Sequence, residues 1–268
     1  MISHESMILT SSMREAPPPP APVHLTFLGT GDAFASQGRF HSGYLIEADG
    51  RHVLMEAGPT VLCAMKRMGF APADLDIILI SHLHGDHYGG LPFLLLEYLW
   101  ESPRRKPLKI AGPPHLEERT WRLFNTMFPF SSGDLERLRR SLQFIELEPS
   151  HRARFGKVHV ETIRVRHMKH DLSLALKVAI GGKTIAFSGD TGWIDDLVGF
   201  TAGADLFLCE CTYFKTPLDI HLNYPLLESK RPDFDVKRMM LTHLGREVLE
   251  RSSELTLEVA ADGMKVEI

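Results

Sequence analysis

The chain has 268 residues, 44% of them hydrophobic and 24% charged, enough to bury one sizeable core. A net charge of −4 and a pI near 6.4 exclude a general electrostatic capture of nucleic acid or anionic membrane, though not a local basic groove. Three cysteines (Cys63, Cys209, Cys211) are too few for a disulfide framework and suit a reducing compartment.

Residues 1–22, ending in Pro17-Pro18-Pro19-Pro20-Ala21-Pro22, read as a disordered tail without the basic start and apolar run of a signal peptide. Residues 23–268 read as one folded domain. Residues 23–28 form a strand that turns at Gly29-Thr30-Gly31-Asp32, and residues 43–48 and 51–55 a hairpin around Asp49-Gly50. A helix over 61–68 stops at Gly69. Residues 77–80 are a short continuous apolar run, as expected of a strand buried on both faces. A helix over 91–100, a strand over 108–111 and helices over 117–127 and 134–141 follow. Strands are expected at 144–147, 158–165, 174–180, 184–187, 205–209 and 236–241, with a helix at 193–200. The last two strands, 257–260 and 264–267, read as a terminal hairpin around Asp262-Gly263. The longest apolar stretch, 91–96, is far too short to span a bilayer, so a cytoplasmic protein without membrane contact is expected.

The decisive feature follows the buried strand: His82-Leu83-His84-Gly85-Asp86-His87. Two imidazoles two residues apart in extended backbone face the same way and can grip one ion. Asp86 and His87 then offer an oxygen and a nitrogen to a second. So many buried polar groups crowded together would lack partners without metal. Cys209 and Cys211, flanking Glu210, read as small buried apolar residues, because no second cysteine pair completes a thiolate site.

This hexapeptide resembles the metal-binding signature of the metallo-β-lactamase superfamily. Four further motifs extend the resemblance in the family's order: Phe27-Leu28-Gly29-Thr30-Gly31-Asp32, Arg166-His167, Ser188-Gly189-Asp190-Thr191-Gly192 and Leu241-Thr242-His243. The opening strand and turn are similar to those of the ribonuclease Z-like branch. The resemblance implies an α/β fold, the αββα four-layer sandwich of two mixed sheets flanked by helices. It also implies two divalent ions, zinc first, with manganese or iron as alternatives. His82, His84 and His167 would hold one ion, Asp86, His87 and His243 the other, and Asp190 would bridge. His167 is preferred as third histidine because it ends a strand, with His170 in the following loop as the alternative.

Glu210 with His221-Leu222-Asn223-Tyr224 resembles the branch's Glu and His pair, in which His221 would protonate the leaving group and Glu210 orient it. Asn223 and Tyr224 depart from that branch's small hydroxyl residues. Asp86 joins these two as the third catalytic candidate. Asp32 and His41 are softer candidates, Asp32 for a turn or a hydrogen bond behind a ligand.

The resemblance thus implies hydrolysis by a water that two ions share and acidify. The tRNA-processing members insert a protruding arm between the third histidine and the bridging aspartate. Here only 19 residues separate His170 from Asp190, and a hairpin fills them. A small phosphodiester or phosphorylated metabolite is therefore the favoured substrate. A tRNA 3′ endonuclease, an ester or lactone hydrolase and a non-enzymatic metal-binding scaffold are the alternatives. Nucleic acid is possible but not favoured as partner, and a homodimer is expected only by analogy.

Overall fold

The structure, a computed structural model, describes residues 22–104 and 106–268. The expected tail over 1–22 lies outside the described residues except for Pro22. Two seven-stranded sheets pack face to face. The first contains β1 (His24–Gly29), β2 (Gly43–Ala48), β3 (Arg51–Met55), β4 (Ile77–Leu79), β5 (Leu108–Gly112) and β6 (Leu142–Glu146), side by side in that order. The second contains β7 (Arg152–Phe155), β8 (Val158–Arg164), β9 (Leu174–Ile180), β10 (Lys183–Phe187), β11 (Ala204–Glu210), β12 (Val236–Thr242) and β13 (Glu258–Val259). Strand β14 (Lys265–Glu267) then crosses to the first sheet and pairs antiparallel with β1.

Helices α1 (Val61–Arg67), α3 (Leu91–Trp100), α4 (Leu116–Met127) and α5 (Ser132–Arg139) belong to the first half, and the single-turn α2 (Gly85–Tyr88) carries part of the site. Helices α6 (Asp196–Thr201), α7 (Tyr224–Lys230) and α8 (Arg246–Leu249) pack on the second sheet. Strand alternation sorts side chains into three cores. In β2, Tyr44 and Ile46 face the core between the sheets, and Leu45 faces the helices. In β11, Leu206 and Leu208 point inward, and Phe207 and Cys209 point outward. The result is the four-layer αββα arrangement that the motifs imply. Cys209 and Cys211 are buried free thiols in the outer core, as the plainer reading expects. No helix among the described residues is long and apolar enough to cross a membrane.

Local signals explain most boundaries. Asp49 and Gly50 both have positive φ (51° and 69°), as a two-residue type I′ hairpin requires. Gly181 and Gly182 (60° and 77°) make the same turn between β9 and β10, so no arm is inserted there. Gly69, at φ 78°, ends α1, with Phe70 N donating to Met65 O at 2.9 Å.

The expected terminal hairpin is wrong. β13 lies parallel to β12, while β14 joins the other sheet. Asp262 and Gly263 still turn the chain, with Met264 N donating to Ala261 O at 3.0 Å, but the turn joins strands of different sheets. The Asp262 carboxylate accepts Thr30 N (2.9 Å), Thr30 Oγ1 (2.7 Å) and Phe40 N (2.7 Å), tying the C-terminal segment to the loop after β1.

Candidate metal centre

Every residue of the expected cluster stands at or just past a strand end, where a rigid sheet fixes geometry while the site stays open. His82 follows β4, His84 precedes α2, and Asp86 and His87 lie in that turn. His167 follows β8, Asp190 follows β10, Glu210 ends β11, and His243 follows β12. Gly189 allows the turn into Asp190: at φ 59° its missing Cβ would sit 2.5 Å from Leu174 O.

Two groups result. The ligand-type atoms of His82, His84 and His167 lie within 4.8 Å of one another, and so do those of Asp86, His87, Asp190 and His243. Asp190 Oδ2 is 3.3 Å from both His87 Nε2 and His243 Nε2. It is also 3.9 Å from His82 Nε2 and 3.8 Å from His167 Nε2, so one carboxylate faces both groups. Asp86 Oδ2 is 3.2 Å from His87 Nε2 and from His243 Nε2.

The outer nitrogens determine which atoms are available. His87 Nδ1 donates to Glu56 Oε2 at 2.5 Å, His167 Nδ1 to Ile220 O at 3.0 Å, and His243 Nδ1 to Thr212 Oγ1 at 2.8 Å. His82 Nδ1 is 2.9 Å from Ser81 Oγ. Each leaves Nε2 toward the cluster. His84 is reversed, with Nδ1 lying 2.9 Å from His167 Nε2.

Burial pushes His82 well below the usual imidazole range and also lowers His84 and His167, favouring the neutral form that binds metal. Burial opposes charge at His87 and His243 too, but the Asp190 carboxylate outweighs it. His87 is raised well above its ordinary value and His243 to about 9. Against its own burial, Asp190 is held well below the carboxylate range by His243 and His87. The acids thus favour positive charge beside them, which a metal cation would supply. Asp190 Oδ1, His82 Nε2 and His87 Nε2 are buried without a hydrogen-bond partner among the described residues. Orphaned acceptors of this kind, in an N/O donor set without thiolates, fit divalent metal ions.

Beside the cluster, His221 Nδ1 is 2.8 Å from Glu210 Oε1. Burial would lower His221, but Glu210 raises it above its ordinary value. Glu210 also accepts Thr191 N (2.8 Å), Thr212 N (3.1 Å) and Thr212 Oγ1 (2.7 Å). The departures at 223 and 224 are structural: Asn223 caps α7 by accepting Leu226 N, and Tyr224 OH contacts Thr256.

His170 is exposed and belongs to neither group. Asp32 makes a turn, accepting Phe34 N, Ser36 N and Ser36 Oγ. His41 is half-buried beside Gly58 and in neither group. Sequence reasoning missed Glu56, Ser81 and Thr212. Glu56 carried no spacing signal, a lone glutamate after Arg51-His52-Val53-Leu54-Met55.

This fold and this site define a metallo-β-lactamase-fold protein of the metallo-hydrolase superfamily. Within it, the chain belongs to the anti-Pycsar protein Apyc1 family, whose model matches residues 23–259. An uncharacterized protein of Mycobacterium tuberculosis is 30% identical over 229 residues, covering 83% of this chain and 81% of that one. The solved short form of human tRNase Z is similar at 26% identity and TM-score 0.72, covering 91% of this chain and 98% of that one. The metallo-β-lactamase-fold protein YhfI of Bacillus subtilis aligns at 22% identity and TM-score 0.71, covering 92% and 99%.

Proposed function

We infer that the chain is a dinuclear metal-dependent hydrolase acting on a small phosphodiester or phosphorylated metabolite. The observation that carries this is the convergence of seven side chains on two adjoining sites that share Asp190. His82, His84 and His167 would hold one ion, Asp86, His87 and His243 the other, with zinc the best match to the donors and manganese or iron the alternatives. When bound, the ions supply an acidified water and positive charge against the developing oxyanion.

The chain's own residues do the rest. Glu210 holds Nδ1–H of His221, which leaves Nε2 to carry the proton a departing alkoxide needs. The raised pKa keeps that proton in place toward neutral pH. Asp86, besides holding an ion, would be a candidate acceptor for a proton of the acidified water. The two-residue turn between β9 and β10 supports a small substrate, because nothing projects there to hold a folded RNA.

A second reading, tRNA 3′ processing, is supported by the likeness to human tRNase Z and by a basic rim. Arg164, Arg166 and Lys169 line a cavity of about 590 Å³ that also touches His167. The test is a panel for the metal-reconstituted protein: bis-p-nitrophenyl phosphate, a 2′,3′-cyclic nucleotide, a lactone and a precursor tRNA. Preference for the small phosphodiesters is expected. Efficient site-specific trimming of the tRNA would overturn the first reading in favour of the second, and preference for the lactone would overturn both.

A further inference from the structure

Glu56 follows β3 and is fully buried; its carboxylate lies within 4.8 Å of ligand-type atoms of His82 and His87, outside the two groups assigned above. Its backbone sits at φ 62°, in the left-handed region that favours glycine. A buried carboxylate on strained backbone persists only when its surroundings over-determine it. The reason lies in its two oxygens. Oε1 accepts Ser81 N at 2.7 Å, and Oε2 accepts Ser81 Oγ at 3.1 Å and His87 Nδ1 at 2.5 Å.

Ser81 has a single hydroxyl proton. Ser81 Oγ donates that proton to Glu56 Oε2. Ser81 Oγ must then accept Nδ1–H of His82, at 2.9 Å. The unshared pair of His82 is left on Nε2, the buried atom that has no partner. One carboxylate therefore selects the tautomer of His82, from one group, and of His87, from the other.

We propose that Glu56 is a positioning residue that couples the two metal sites, holding one histidine of each in its ligating tautomer. This rests on the ligand assignment above. Filling either site steadies Glu56 and so prepares the other. Replacing the acid by its amide removes an acceptor that Ser81 and His87 both need, and loss of such outer partners costs about 10–100-fold in metal affinity.

The experiment is a two-step Co²⁺ titration of the metal-free protein against a chelator, read by visible absorption, for wild type, Glu56→Gln, Ser81→Ala and His82→Ala. His82→Ala assigns which step belongs to the His82 site. Glu56→Gln is expected to weaken both steps about 10–100-fold and to reduce the cooperativity between them. Ser81→Ala should weaken the His82 step alone. A folded Glu56→Gln that loses affinity at one step only, or at neither, overturns the proposal. If Glu56→Gln does not fold, an unchanged His82 step in Ser81→Ala overturns it instead. If His82→Ala itself keeps both steps at wild-type affinity, the ligand assignment fails, a result distinct from failure of the coupling.

Discussion

Thr212→Val tests the counterpart of that arrangement in the second half of the chain. Thr212 is 4% exposed. Its hydroxyl donates to Glu210 Oε2 at 2.7 Å and accepts from His243 Nδ1 at 2.8 Å. Valine keeps the shape and removes the oxygen. His243 Nδ1–H then has no partner, whereas Glu210 Oε2 retains Thr212 N at 3.1 Å and loses less. An unsatisfied buried polar group costs about 1–3 kcal/mol, so roughly 3 kcal/mol is expected for the two together. In a domain of this size that lowers Tm by roughly 6–12 °C. Calorimetry of the protein in chelator measures this without any contribution from bound metal. Affinity at the His243 site should fall about 10–100-fold, with Thr212→Ser restoring it. A Tm within about 2 °C of wild type, together with unchanged metal affinity, would refute the hydroxyl's role in orienting His243.

His221→Ala should slow hydrolysis of an alkyl phosphodiester about 10²–10⁴-fold and that of a p-nitrophenyl ester far less, because p-nitrophenolate needs little protonation. Equal losses on the two substrates would remove His221 from the acid role. His167→Ala should cost more metal affinity than His170→Ala, since His167 is buried against His84 whereas His170 is exposed; titration in the opposite order reassigns the third histidine. Glu247 is held down to about 2 by the Thr216 hydroxyl and the backbone N–H groups of Lys215, Thr216 and Phe214. A depressed carboxylate stabilises fully above its ordinary 4.5, and that contribution is lost as pH falls toward about 2. The Tm gap between wild type and Glu247→Gln should therefore narrow from pH 7 to pH 3, modestly because the site is largely solvated. A constant gap would contradict the clamp.

The candidate metal cluster was legible in the sequence because its residues are compressed: four ligand-type side chains fall within six residues. The later histidines and Asp190 could be read only through their order and their places at strand ends. Glu56 could not, since its partners Ser81 and His87 lie 25 and 31 residues away and a lone glutamate carries no spacing signal. The two Asp-Gly pairs show the same limit. Asp49-Gly50 makes its hairpin from local backbone preference alone. At Asp262-Gly263 a contact across 232 residues, to Thr30, takes the carboxylate, and the flanking strands go to different sheets. Strand β7 escaped notice because Arg152 and Arg154 alternate with half-buried residues at a sheet edge, where charges are common. Helix α7 was hidden because its capping Asn223 was read as part of a catalytic loop.

The crossing of β14 bears on how the protein comes to be folded at all. The first sheet gains its β1-edge partner, and the loop at Thr30 its Asp262 anchor, only from residues near the far end of the chain. Contacts of such sequence separation are formed late and make folding slow. During synthesis, β1 would wait with an open edge until the last strand emerges, exposing a pairing surface to other chains in the interval. The loop after β1 should therefore be among the last segments to become protected in a pulse-labelled hydrogen-exchange experiment.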